Sequence, residues 1–184
     1  MRLKPSLSAM SCSVAWMGWR VGHVLNRLAT FYLIPYFDVG VRLDADGKGG
    51  IDRIAGAVHY LQPGLSSLLS RDVYDMKRVD AEAMRRTNLE MYRRLVKEGY
   101  LRGVDEDRPA VISVNTFFAA LCVNEFLARL HPYRNQSNDE YAYVGGNLSE
   151  MQFFPEGESA PCAVLARHVG KGDVTPLLER PSLS

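Results

Sequence analysis

The stretch from Val111 to Leu130 (VISVNTFFAALCVNEFLARL) is the most apolar in the chain and sets the strongest constraint on its fold. Its length, with Pro132 just beyond, predicts one helix over 111–131. A membrane span needs about 20 apolar residues with few polar ones. Asn115, Asn124 and Glu125 interrupt this run, so it reads as the buried helix of a soluble protein with no membrane partner.

Two further apolar segments precede it. Leu33 to Leu43 and Ile51 to Gln62 flank Asp44–Gly50 (DADGKGG), a strong turn signal, and together predict an antiparallel hairpin. Pro35 falls near the start of the first strand, where a lost N–H is tolerable. Val24, Leu25, Leu28, Phe31 and Tyr32 fall at helical spacing and predict a helix over 23–32. A charged, helix-forming stretch runs over 79–100, with Gly99 as its terminator. A charged loop, Leu101–Arg108, leads to Pro109. A second hairpin is expected over 141–154, turning at or near Gly145–Asn147. The remainder, rich in Pro and Gly, is expected to wrap the surface. The order of elements places the chain in the α/β class.

The 184 residues suit one domain or slightly more, long enough to bury about two-thirds of the unfolded surface. Lys and Arg total 22 against 21 Asp and Glu, a balance without the basic face that nucleic-acid binding requires. Three widely spaced cysteines, Cys12, Cys122 and Cys162, make no disulfide framework and fit a reducing, cytoplasmic compartment. Cys122 lies within the apolar helix and reads equally as an inert core thiol.

Single residues carry little chemistry. His23, His59, His131 and His168 lack metal-ligand spacing and read as surface or satisfied histidines. Gly47-Lys48-Gly49-Gly50 lacks the Ser or Thr and the preceding glycine of a phosphate loop, and reads as a turn. Asp105, Glu106 and Asp107 suit a cation or, more simply, a solvated loop.

The ordered set is more telling. HVLNRLATFYLIPYFDVGVRL, a hairpin, a charged crossover (GYLRGVDEDRPAVISVN, 99–115) and a long helix resemble the ThiF, MoeB and HesA family of ubiquitin-activating-type adenylyltransferases over residues 23–154. The resemblance implies a partial Rossmann-like domain, its C-terminal half, lacking the N-terminal nucleotide-binding half with the glycine-rich phosphate turn. It divides the chain into a non-native or out-of-frame stretch at 1–22, a ThiF-like part at 23–160 and a surface-wrapping tail at 161–184. The implied activity of an intact domain is ATP- and Mg²⁺-dependent adenylation of the C-terminal carboxylate of a ubiquitin-like or sulfur-carrier protein. The family also implies a possible homodimer.

This chain alone is expected to be inactive and to hold neither ATP nor metal. Residues implied to line a completed nucleotide or adenylate site are Asn26, Arg27, Asp38, Gly40, Arg102, Asp107 and Arg108. Asn26 could instead brace its helix, Asp38 could be a hydrogen-bonded strand residue, and the crossover charges could be solvated. Ser67 and Ser70 stand where the family carries a zinc-binding cysteine pair. Hydroxyls are poor zinc ligands beside thiolates, so no structural zinc is expected. The other class of function open to the chain is a non-catalytic module that dimerises or docks a ubiquitin-like partner.

Residues 1–22 follow neither helical nor strand periodicity. Trp and Met have single codons, so in a shifted frame Trp16-Met17 must encode an Asp, nine positions before Asn26, where the resemblance implies one. A divergent N-terminus is the other reading. Sequencing the DNA upstream through the codon for Thr30 separates them. A frameshift predicts an out-of-frame glycine-rich βαβ region joining near His23, and an upstream stop without one contradicts it.

Overall fold

The structure, a computed structural model, describes residues 11–14, 18–46, 48, 50–101, 111–175 and 177–180. A five-stranded sheet runs in the order β1 (Ser11–Val14), β2 (Tyr36–Ala45), β3 (Ile51–Leu61), β4 (Tyr143–Asn147), β5 (Gln152–Glu156). β1 pairs with β2 in parallel, and the other pairs are antiparallel. The β2–β3 hairpin is the one the sequence predicts. Asp46 organises its turn: one carboxylate oxygen accepts from the amides of Lys48 at 2.7 Å and Gly50 at 2.8 Å.

Alternation along β2 sorts two cores. Phe37 and Val39, with Val58 and Tyr60 of β3, face α4 (Ile112–Leu130), which contributes Val114, Phe118 and Cys122. Tyr36 and Leu61 face the other way, against Ala29 of α1 (Trp19–Phe31), Leu68 and Tyr74 of the loop after β3, and Val79 of α2 (Met76–Thr87). The sheet is thus covered on both faces. Among the described residues, no helix is long and apolar enough to cross a membrane.

Three boundaries differ from the sequence reading. The first helix begins at Trp19 rather than His23. Its N-terminal stabilisation comes from 62 residues away: the Glu82 carboxylate on α2 accepts from the Arg20 amide at 2.9 Å, where a negative charge complements the helix dipole. Arg78 of α2 also sits 5.1 Å over the Trp19 ring. The charged stretch is two helices, α2 and α3 (Leu89–Lys97), because the Asn88 side chain accepts from the Met91 amide and starts a new helix.

The second hairpin turns at 148–151, with Gly145 and Gly146 inside β4. Those glycines serve close approach, not turning. A Cβ on Gly145 would lie 2.1 Å from the Phe154 ring, and one on Gly146 would meet Phe153 at 2.7 Å.

Phe118, fully buried, seats α4 on the sheet over Gly56. A methyl group at Gly56 would fall 2.5 Å from its ring. Gly56→Ala is therefore expected to destabilise the protein by about 1–3 kcal/mol through overpacking. Urea unfolding checks this, and an unchanged midpoint would place the ring elsewhere.

Candidate functional site

α1 presents two polar stripes. Asn26 is buried, and its Oδ1 accepts from the Leu68 amide at 2.9 Å, fastening the loop after β3 to the helix. Four-residue spacing puts His23, Arg27 and Phe31 on a neighbouring stripe. His23 Nδ1 lies 3.0 Å from the Tyr74 hydroxyl in a buried hydrogen bond.

Asp38 and Gly40 lie on the same face of β2 as Tyr36, whose hydroxyl donates to Asp38 Oδ1 at 2.7 Å. Burial is the main cause of the raised Tyr74 pKa, with the Cys162 and Asp38 charges adding to it. Tyr36 and Tyr74 pack in one buried cluster, so Asp38, Tyr36, Tyr74 and His23 form one polar seam between sheet and helix. At Gly40 a Cβ would meet nothing within 4 Å, so the strand opens onto free space there. Arg102, Asp107 and Arg108 lie outside the described residues.

Ser67 and Ser70 close a turn on each other. The Ser67 amide donates to Ser70 Oγ at 2.9 Å and the Ser70 amide to Ser67 Oγ at 3.1 Å. The C-terminal segment is docked beside this turn, the Cys162 amide donating to the Leu65 carbonyl at 3.0 Å. Among the described residues, no three His, Cys, Asp or Glu side chains gather as a metal site.

Arg71 locks the loop in place. Its guanidinium donates to Ser66 Oγ (2.7 Å), the Ala142 carbonyl (2.9 Å), the Tyr60 carbonyl (3.1 Å) and Glu158 Oε1 (3.2 Å). Ser66 also donates to Glu158. The outer stripe of α1 meets residues 163–180. His168 stacks on Phe31 with ring centroids 5.1 Å apart, and its Nδ1 lies 3.0 Å from Glu179 Oε2. The Gly170 amide donates to the Thr30 carbonyl. Leu165, His168 and Leu178 are buried, so this segment packs into the fold beneath α1.

Of the residues read from sequence, the structure brings His23 and Asp38 to the seam through Tyr74 and Tyr36. Asn26 is committed to bracing, and Arg27 turns toward the C-terminal segment. Sequence reasoning missed Tyr74, Arg71, Glu158 and Arg180. Tyr74, Glu158 and Arg180 act on groups far along the chain, and Arg71 joins near and distant acceptors, so no local spacing marks them.

No protein-family model matches the chain, and no curated protein matches it by sequence. Solved structures do match by shape. The microcin C7 biosynthetic enzyme MccB in complex with N-formylated MccA superposes with a TM-score of 0.54 at 15% identity, over 85% of this chain and 40% of that one. E. coli MccB with MccA-N7isoASN gives 0.53 at 14% identity, over 85% and 40%. E. coli MccB with AMPCPP and MccA gives 0.52 at 13% identity, over 84% and 38%. At this identity the likeness establishes a shared fold. The chain spans about 40% of the length of the first of these structures.

The buried histidines make stability depend on pH. Burial lowers His23 to about 4, with Arg180 and Arg27 contributing. Burial, then Arg71, lowers His59 to about 3. Both folded values lie below the ordinary 6.5, so the unfolded chain binds more protons below that pH. The stabilisation is complete above pH 6.5 and is lost as pH falls from 6.5 toward 4. The urea midpoint is expected to drop steadily between pH 7 and pH 5, with a shallower drop in His59→Leu. Equal slopes would show that His59 charges freely in the folded state.

Proposed function

We propose that the chain is the C-terminal part of an adenylyltransferase of the ThiF, MoeB and HesA kind. In this reading the intact domain activates the C-terminal carboxylate of a peptide, ubiquitin-like or sulfur-carrier protein with ATP and Mg²⁺, and this chain alone is inactive. The observation that carries the reading is the match of 85% of the chain to MccB at a TM-score of 0.54. MccB is seen with N-formylated MccA and with AMPCPP, which supports a peptidic partner and a nucleotide here. ATP would supply the electrophilic phosphorus and pyrophosphate as leaving group.

The described residues fit only part of that task. Asn26 Oδ1 is spent on Leu68, and Asp38 Oδ1 is held by Tyr36. Among the described candidates, Arg27 is the one whose guanidinium makes no hydrogen bond within range. Catalysis of this kind rests on positioning and on neutralising phosphate charge. The part described here supplies the frame, the seam and one cationic group. In this reading the protein is cytoplasmic, needs no zinc, binds no nucleic acid and pairs with a second copy.

One observation favours the reading as an interaction module. Ile112, Phe117, Val123 and Leu127 of α4 and Phe153 of β5 are exposed, an apolar surface of the sort that marks association.

Exchange of radiolabelled pyrophosphate into ATP, with Mg²⁺ and a peptide ending in Gly-Gly, separates the two. The chain alone is expected to be silent, and exchange is expected once a glycine-rich nucleotide-binding half is supplied. Exchange by the chain alone would contradict the assignment of inactivity. Silence with the supplied half, together with partner binding in the absence of ATP, would establish the module.

A further inference from the structure

Positive charge accumulates where the C-terminal segment meets α1. Arg27, Arg167, Lys171 and Arg180 are the cations that act on Arg27 and His168 there, and Glu179 is the carboxylate that opposes them. The Arg27 side chain is only 14% exposed. Among the described residues, the one carboxylate within ion-pair range of it is Glu179, 4.0 Å away, too far for a hydrogen bond. Arg27 Nε and Arg180 Nη1 are both shut off from solvent, with no hydrogen-bond partner among the described residues.

A guanidinium nitrogen cut off from water without an acceptor is costly, and the two like charges act on each other here. Neighbouring groups do not relieve them. His168 Nε2 lies 3.2 Å from Arg167 Nε and acts as an acceptor, so the imidazole is neutral, with its proton on Nδ1 facing Glu179. His23, the other ring beside both arginines, is engaged with Tyr74 and held neutral by its burial.

The backbone bears a second mark of function. Leu178 and Glu179 both have φ in the left-handed region, 56° and 54°, which non-glycine residues rarely adopt. Strain of this kind gathers at ligand sites. Here it turns Glu179 and Arg180 onto α1.

We infer that Arg27 and Arg180 form an oxyanion-binding site between α1 and the C-terminal segment, with a phosphate group as its ligand and Glu179 occupying the place in its absence. Guanidinium forks match phosphate oxygens in pairs, which is why two of them suit this ligand. The site stands on these side chains and does not depend on adenylation. The phosphate could be inorganic or part of a nucleotide.

The test is thermal unfolding of the full chain titrated with inorganic phosphate, and separately with AMP, at ionic strength held constant with KCl to remove screening. Phosphate is expected to raise the Tm in a saturable manner. Arg27→Gln and Arg180→Gln are each expected to weaken binding by about tenfold or more. Glu179→Gln, which removes the competing carboxylate, is expected to tighten it.

AMP binding tighter than phosphate would identify a nucleotide as the ligand, and equal affinities would identify phosphate itself. No saturable shift beyond that of chloride, or a shift that survives both arginine substitutions, would overturn the site. Should either glutamine variant fail to fold, Glu179→Gln decides alone: phosphate binding that is unchanged or weaker there overturns the site. Silence in pyrophosphate exchange would leave it standing.

Discussion

Arg71 holds the candidate site together. Its side chain is only 8% exposed and donates to four acceptors on four separate parts of the chain. The Tyr60 and Ala142 carbonyls belong to the end of β3 and the entry to β4. Glu158 belongs to the segment that follows β5, and Ser66 to the loop that carries Arg71 itself. A buried guanidinium with this many acceptors avoids the desolvation penalty of an unsatisfied charge. The arrangement fixes the loop against the sheet and the C-terminal segment against the loop.

What is fixed this way determines the rest. With the loop in place, Leu68 can take up Asn26 and Tyr74 can take up His23. With Glu158 in place, the chain beyond it turns under α1, burying Leu165, His168 and Leu178 and stacking His168 on Phe31. The result is a polar seam from Asp38 on the sheet through Tyr36 and Tyr74 to His23, with Arg27 one turn further along α1 facing Glu179. Burial and nearby arginines push the His23 and His168 imidazoles toward the neutral form, which leaves the positive charge of the site on guanidinium groups.

The local part of this was legible in the sequence. The β2–β3 hairpin follows from two apolar runs around DADGKGG, and α4 from an apolar run ended by Pro132. Both signals act between near neighbours. The failures share a cause in long-range packing. Trp19 joins α1 because α2 supplies Glu82 and Arg78 to hold it. Gly145 and Gly146 read as turn residues, yet they lie in a strand because three phenylalanine rings need the space. At the site, Asn26, Arg27 and Asp38 could be picked out by resemblance, but their surroundings could not. Tyr74 meets His23, Glu158 meets Arg71 and Glu179 meets Arg27 across 51 or more residues, and their types are ordinary for a surface.

The dependence on Arg71 is tested most directly by amide hydrogen exchange in Arg71→Met. The account predicts that protection falls at the Leu68, Cys162 and Gly170 amides, which close the loop and the C-terminal segment onto α1 and each other. The Val39 and Val58 amides in the β2–β3 ladder should keep theirs. Unchanged protection at Leu68 and Cys162 would contradict it, as would uniform loss across the sheet.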